Sequence, residues 1–344
     1  MKSTTGLIVG VGSVGKRHAK VMADRFDRLF VIDTNDAALQ WATSELQVNL
    51  KCGKSVRALA DEIRSCATTT SAVIATWGPS HFDDFSQIVA LGVRRVFCEK
   101  PLATSLAQIQ SMRKVCVEQK VAFTGGLHLR YRGIADFIRE ASANHLGGPP
   151  TSFVVDGGAR CMATTGSHWL DLAIDVFGSP PTEVFASLDA AAINPRSADL
   201  EYWAGTASWK FSDSRRLAIT YDNSSSVHER ARFFGKHGVI DIDNELAVRV
   251  FARDPHEVAA DSRAVRVGRV RPEPVAEFAP YSGEVLSRQL DEIEGAPNPI
   301  YGARAAFDSA EALLAAFESS RSGATVSLPV SDELVQRSQE WNIS

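Results

Sequence analysis

A glycine-rich hexapeptide sits between a short apolar run and a helical pattern near the start of the chain, and it restricts the fold more than any other feature. Leu7 to Val9 is apolar, Gly10-Val11-Gly12-Ser13-Val14-Gly15 follows, helical spacing runs from Val14 to about Asp24, and a second apolar run, Leu29 to Ile32, ends at Asp33. Each glycine has a reason in a strand–turn–helix unit. Gly10 permits the tight turn, Gly12 lets the backbone approach a pyrophosphate, and Gly15 lets the helix lie close on the strand. The unpaired N–H groups at the helix start, around Ser13 and Val14, favour an anion. Asp33 stands near the spacing at which a carboxylate accepts ribose hydroxyls. The unit predicts a dinucleotide site at Gly10, Gly12, Ser13, Val14, Gly15 and Asp33. On the plainer alternative, the glycines only turn the chain and Asp33 caps the next helix. A carboxylate at 33 followed by Thr34 and Asn35 rather than Arg repels the extra phosphate of NADP, so NAD is expected and NADP stays open.

The alternation continues. Helix patterns at Asp36–Leu46 and after Ser55, runs at Val48–Leu50, Ala72–Ala75 and Arg95–Cys98, a helix at about His81–Leu91, a helix capped by Ser105 and reaching Lys120, and a run at Val121–Thr124 complete the first third. Short, wholly apolar strands separated by helices predict a doubly wound parallel sheet of α/β class, because parallel strands need right-handed crossovers. Beyond Gly125-Gly126 the pattern changes. Helices at Gly133–Ala143 and Ser167–Phe177 accompany extended runs at 153–156, 184–188, 203–209, 217–221, 230–234, 239–242 and 247–251, several alternating apolar with polar as half-buried antiparallel strands do. Residues 254–274 are charged and Pro-bearing and predict an irregular excursion; helices near 283–294 and 302–319 close the pattern. The expected division is 1–125, 126–330 and a tail at 331–344.

At 344 residues the chain fits two domains. A net charge of −4 argues against a nucleic-acid partner, which needs a clustered cationic surface. No apolar run reaches bilayer-spanning length and no secretory leader precedes the first strand, so no membrane partner is expected. The five scattered cysteines lack metal-ligand spacing, which leaves no metal site expected and favours a reduced, cytoplasmic setting.

In an open α/β sheet the ligand lies beyond the carboxyl ends of the strands. Two segments sit at such ends, Thr76-Trp77-Gly78-Pro79-Ser80-His81 and Glu99-Lys100-Pro101. Thr76, Trp77, His81, Glu99 and Lys100 are therefore assigned to the cofactor side. A lysine ammonium, with a pKa of about 10.4 when free, becomes a usable base when partly buried near a positive ring; otherwise Lys100 is a surface residue at a turn. Farther on, Thr164-Thr165-Gly166-Ser167-His168-Trp169-Leu170-Asp171-Leu172 places His168, Asp171 and Asp175 on one helix face, opposite an apolar stripe. That face meets either a ligand or solvent.

Together these segments resemble the glucose–fructose oxidoreductase / inositol dehydrogenase (Gfo/Idh/MocA) family over nearly the whole chain. The resemblance rests on the glycine turn with His18 after it, Thr76 to His81, Glu99-Lys100-Pro101-Leu102, Leu129-Arg130-Tyr131, Gly166-x-His168-x-x-Asp171-Leu172 and Gly323-x-x-Val326. It implies a C-terminal α+β domain with a large open, mainly antiparallel sheet, through which the chain forms a homodimer or homotetramer, and a cis Lys100–Pro101 bond. It implies Lys100 as the catalytic acid/base, His168 as a second proton-handling or hydroxyl-binding residue, and Asp171 as a substrate ligand or an orienting group. Thr164 stands where the family's sugar and polyol dehydrogenases carry Asp, and a hydroxyl cannot hold a charge or relay a proton as a carboxylate does. Trp77 replaces a common proline. Thr164, Arg130 and Arg160, with Arg132 nearby, are substrate-side candidates, arginine forks being suited to carboxylate or phosphate; the alternative is ordinary surface charge.

The expected function is NAD(P)-dependent hydride transfer at a secondary hydroxyl of a sugar, polyol or sugar derivative. The alternatives are a family member that retains NAD for redox-assisted elimination or glycoside hydrolysis, and an inactive NAD-binding regulatory or scaffold protein.

Overall fold

The computed structural model describes residues 4–190, 199–260, 268–295 and 302–343. They form two compact units.

The first unit is built on six parallel strands, β1 (Thr5–Val9), β2 (Arg28–Ile32), β3 (Asn49–Gly53), β4 (Thr70–Ile74), β5 (Arg95–Cys98) and β6 (Ala122–Gly125), in the order β3-β2-β1-β4-β5-β6. Helices α1 (Ser13–Arg25), α2 (Asp36–Glu45), α3 (Ala60–Cys66), α4 (Gly78–Ala90) and α5 (Leu106–Glu118) connect them. Every residue of β1 and β4 is buried, as wholly apolar runs in a sheet covered on both faces require. Helix starts follow the side-chain caps: Asn35 accepts from Ala37 N–H, and Ser105 from Gln108 N–H. Pro79 in the first turn lets α4 begin three residues before the expected His81. Strand order reverses between β1 and β4, and such a switch point opens a crevice at the carboxyl ends of the strands.

Residues distant in sequence return to this unit, which corrects the expected division. Glu284–Glu311 and Glu333–Ser344 belong with the parallel sheet. In the helix Leu286–Ile293, Leu286, Leu290 and Ile293 recur at helical spacing and pack in one cluster with Ile8, Met22, Val31, Val73 and Phe97. Arg25 of α1 pairs with Asp291 at 2.7 Å and Glu294 at 2.6 Å, and Ser71 Oγ donates to Glu294 at 2.9 Å. The expected tail is likewise anchored: Trp341 and Ile343 are buried, and Trp341 N–H donates to the Thr104 carbonyl at 2.9 Å.

The second unit comprises His128–Gly283 and Ala312–Asp332. Helices α6 (Ile134–His145) and α7 (Ser167–Phe177) accompany nine strands: β7 (Ser152–Gly157), β8 (Glu183–Ala190), β9 (Trp203–Lys210), β10 (Arg216–Tyr221), β11 (Arg230–Phe234), β12 (Gly238–Ile242), β13 (Val248–Ala252), β14 (Ala276–Phe278) and β15 (Val326–Ser327). Their order is β14-β13-β12-β11-β7-β10-β9-β8-β15. All neighbours run antiparallel except β7 and β10, which pair in parallel. One face is apolar and covered: Phe153 stacks on Phe233 at 3.8 Å, Phe153 meets Trp169 edge-on, and Trp209 Nε1 donates to the Ala312 carbonyl at 3.0 Å. The alternate positions face outward and leave Val154, Phe185 and Phe234 exposed.

Within the expected irregular segment, Pro255–Ala260 forms a short helix, and residues 261–267 lie outside the described residues. The two shortest strands, β14 and β15, carry too few residues for an alternation to be visible in sequence. Among the described residues no helix is long and apolar enough to cross a membrane.

Candidate functional site

The first unit carries the candidate cofactor cradle. Gly10 has φ +88, and a Cβ there would come within 2.6 Å of Thr76 N, so only glycine fits. A Cβ on Gly15 would strike the Gly10 carbonyl oxygen. Gly12 differs: a Cβ on it would meet nothing within 4 Å. Gly12 also caps α1 with no side-chain hydrogen bond, and Ser13 beside it is exposed. An open glycine at an uncapped helix start suits a diphosphate. Asp33 follows β2, half-buried, and accepts Val11 N–H on Oδ2 at 2.7 Å and Asn35 N–H on Oδ1 at 2.8 Å. Each carboxylate oxygen keeps lone-pair capacity for a ribose hydroxyl. These residues fit a dinucleotide.

The ends of β4 and β5 are tied together. His81 is fully buried, with Nδ1 2.7 Å from the Pro101 carbonyl and Nε2 2.9 Å from the Thr76 carbonyl. Burial pulls its imidazole below the ordinary pKa, against the opposing pull of the two carbonyls. His81 was expected among the cofactor ligands; its ring lies between these two main-chain carbonyls, the neutral imidazole donating its single N–H to one of them, and so stands between the two strand-end segments. Thr76 Oγ1 donates to Asp84 at 2.7 Å, and burial pushes the Asp84 carboxyl up. Trp77 stays 51 % exposed at the start of α4.

Glu99 and Lys100 follow β5 directly, and the Lys100–Pro101 bond is cis. Glu99 Oε1 lies 2.7 Å from His18 Nε2, and its Oε2 accepts Lys100 N–H at 3.1 Å. Burial alone would raise the Glu99 carboxyl; the His18 hydrogen bond and the charges of His18 and Lys100 bring it below the usual carboxylate range. Gly126 keeps this space open, since a Cβ there would approach Glu99 Oε2 at 2.5 Å. Lys100 is half-buried.

The second unit gathers the other candidates around the start of α7. A π-type turn, Met162–Gly166, runs directly into the helix, an irregularity frequent at functional sites. Thr164 lies in it, buried, and its carbonyl accepts Ser167 Oγ–H at 2.7 Å. His168 occupies the first turn of α7, half-buried, with its ring 4.3 Å from that of His128.

Asp171 and Arg130 find each other. Arg130 Nε donates to both carboxylate oxygens, at 3.0 and 2.9 Å, and Asp171 is fully buried. Arg130 Nη1 lies 3.4 Å from Asp175 Oδ1, which Arg139 also approaches at 3.2 Å. The expected shared polar face is thus an internal ion-pair network, and Arg130 and Asp171 satisfy each other rather than presenting free forks. Arg160 is similarly engaged, with Glu229 at 2.7 Å and His228 Nδ1 at 2.9 Å; the Glu229 hydrogen bond holds its pKa up.

Sequence reasoning missed His128, which belongs to no motif, and the role of Asp84. The separation of His128 from Arg132 by four residues is the signal that could have found the former, since such residues share a face of a helical turn. Among the described residues no group of three or more His, Cys, Asp or Glu side chains could hold a metal ion.

Comparison with known proteins agrees with this geometry. Residues 5–127 match the family model for the Gfo/Idh/MocA oxidoreductases with an NAD-binding Rossmann fold. An inositol 2-dehydrogenase of Rhizobium meliloti is 25 % identical over 271 residues, covering 71 % of this chain and 76 % of that protein. Among solved structures, the aldose–aldose oxidoreductase of Caulobacter crescentus superposes with a TM-score of 0.73 at 18 % identity, covering 95 % of this chain and 100 % of that one. The scyllo-inositol dehydrogenase of Lactobacillus casei, with bound NAD(H) and scyllo-inositol, gives 0.65 at 16 %, covering 95 % and 99 %. At such identities these two speak for the fold. The likeness to the Gfo/Idh/MocA family of NAD-binding oxidoreductases thus lies in residues 5–127.

Proposed function

We propose that the protein moves hydride reversibly between NAD and a secondary hydroxyl of a sugar, polyol or sugar derivative, with Lys100 as principal acid/base and His168 assisting. Bound at the glycine turn, the nicotinamide cofactor supplies the hydride acceptor or donor. Gly12, Ser13 and Val14 hold the diphosphate, and Asp33 holds the ribose and disfavours NADP. In the oxidising direction Lys100 takes the hydroxyl proton; in the reducing direction its ammonium returns it. Glu99, braced by His18, holds the main chain of Lys100. Arg130 and Asp171 fix α7 and thereby the position of His168.

The observation that carries this reading is the placement of Lys100, which directly follows a parallel strand inside the sheet with its N–H held by a half-buried, histidine-braced carboxylate. Likeness to an inositol 2-dehydrogenase over most of both chains supports a polyhydroxyl substrate. The exposed apolar positions Val154, Phe185 and Phe234 support self-association through the nine-stranded sheet. The test is NADH absorbance with purified protein across neutral sugars, polyols, sugar acids and nucleotide sugars; turnover on a hydroxylated compound is the expected result.

Thr164, buried and unable to carry charge, favours one second reading: NAD is retained without net turnover, for redox-assisted elimination or in a non-catalytic role. Tight NAD binding without NADH release across the panel would select it.

A further inference from the structure

Between β5 and α5 the main chain of residues 99–105 has neither helix nor strand to hold it, although residues 101–105 are all buried. Its polar groups must therefore find partners one by one. Glu99 takes the Lys100 N–H, and a ring nitrogen of His81 lies 2.7 Å from the Pro101 carbonyl. Gln108, in the first turn of α5, accepts the Thr104 N–H at 3.0 Å and the Thr104 hydroxyl at 3.1 Å. The Thr104 carbonyl is served from far along the chain, by the N–H of Trp341 at 2.9 Å.

The segment Trp341–Ile343 is fitted closely to this place. Trp341 is 5 % exposed and Ile343 is fully buried. Just before them Glu340 accepts from Gln108 Nε2 at 3.0 Å, so one side-chain amide joins Thr104 to the strap. Ile343 N–H donates to the Trp341 carbonyl at 2.8 Å, a three-residue turn. The Ile343 carbonyl then lies against Gly78. A Cβ on Gly78 would stand 2.5 Å from that oxygen and 2.9 Å from Cγ of Pro101. Gly78 has no positive φ, so space rather than backbone conformation calls for glycine there.

The strap thus meets both strand-end segments beside the proposed chemistry. Gly78 follows Trp77, and Pro101 follows Lys100. We infer that Trp341 is a positioning residue for Lys100: its seated indole sets the strap against Thr104 and Gly78, and the strap holds Pro101 and the lysine before it in place. A lysine side chain is a flexible four-carbon stem, so its ammonium is directed only as well as the backbone it leaves is fixed. Misplacement on the order of 1 Å is costly to catalysis. Asp33 is held separately, by the N–H groups of Val11 and Asn35.

This inference rests on the reading above that Lys100 handles the proton. Trp341→Ala, Trp341→Phe and Gly78→Ala, each in the full-length protein, test it by two routes. The first needs no substrate: amide hydrogen exchange followed by mass spectrometry. Trp341→Ala and Gly78→Ala should exchange faster than wild type in peptides covering residues 100–105 and equally in peptides covering residues 5–15. Trp341→Phe, which keeps a ring in the core, should stay close to wild type. Unchanged protection of residues 100–105 overturns the inference, as does a loosening spread evenly over the first unit.

The second route is kcat, its pH dependence and NAD affinity, on a compound that wild type oxidises. The expected result is a kcat lowered roughly tenfold to a hundredfold in Trp341→Ala and Gly78→Ala, NAD affinity close to wild type, and recovery in Trp341→Phe. The rising limb of the pH profile should move to higher pH, because a less enclosed ammonium gives up its proton less readily. A profile that keeps its position while only the fraction of active molecules falls marks a merely structural residue and overturns the inference. Where Trp341→Ala does not fold, Gly78→Ala, which leaves the strap's own sequence intact, decides both measurements. A wild type that oxidises no member of the panel overturns the proposed function, and hydrogen exchange then decides by itself whether the strap fixes the Lys100 segment.

Discussion

The Nε2 atom of His18, on the first helix, stands 2.7 Å from Oε1 of Glu99, at the end of the fifth strand. The same carboxylate accepts the main-chain N–H of Lys100 through its other oxygen. One imidazole thus braces the residue that holds the proposed acid/base, and a helix that begins at the glycine turn is linked to the strand end that carries it.

This pairing has a pH signature. The folded Glu99 carboxyl lies below its ordinary pKa, because the His18 hydrogen bond and the nearby positive charges outweigh burial. A carboxyl lowered on folding adds stability that is fully present above its unfolded pKa of about 4.3 and is lost as pH falls through the folded value. Glu99→Gln should therefore be less stable than wild type at neutral pH, with the gap narrowing in acid. Denaturant unfolding across this range measures it, and a gap that widens as pH falls would contradict the assignment.

The three turn glycines should separate folding from binding. Gly15→Ala meets a backbone carbonyl that cannot move aside, and Gly10→Ala adds a positive φ to a backbone clash. Both should lower the melting temperature markedly, at a cost of roughly 1–3 kcal/mol or more. Gly12→Ala meets nothing; it should melt like wild type yet bind NAD weakly. Thermal melts beside NAD titrations distinguish the three.

Asp33→Ala should relax cofactor choice. Removing the carboxylate withdraws the ribose acceptor and the charge that repels a 2′-phosphate. NAD affinity should fall by roughly tenfold or more, while NADP affinity rises or holds. Fluorescence titration with both cofactors gives the ratio, and an unchanged ratio would remove Asp33 from the ribose site.

The Arg130–Asp171 pair should behave as a buried structural link. Arg130→Met leaves a fully buried carboxylate without its fork and should cost about 3–5 kcal/mol. The double variant Arg130→Met, Asp171→Leu should recover part of that loss, since both charges are gone. Equal damage in the single and double variants would mean that Asp171 acts independently of Arg130.

Much of this was legible in the sequence because the signals are local. The glycine turn, Asp33 and the apolar runs each announce themselves within a few residues, and the strands lie within a residue or two of expectation apart from β3 and the shortest ones. What the sequence withheld depends on long-range packing. Leu286, Leu290 and Ile293 show helical spacing, but nothing in that spacing says that their stripe covers the parallel sheet rather than the neighbouring unit. Trp341 looks like part of a tail until its N–H is seen to reach Thr104. Arg130 and Asp171 lie 41 residues apart, so their ion pair appears only in three dimensions. His81 shows the same limit: its spacing from Thr76 was visible, whereas the approach of two main-chain carbonyls to its ring was not.

The most direct test of the central claim is turnover by Lys100→Met, followed as NADH absorbance on a substrate that wild type oxidises, beside NAD affinity measured on the same preparation. Loss of the acid/base should lower kcat by about a hundredfold or more and leave NAD binding close to wild type. Turnover near the wild-type rate with cofactor binding intact would show that another group handles the proton.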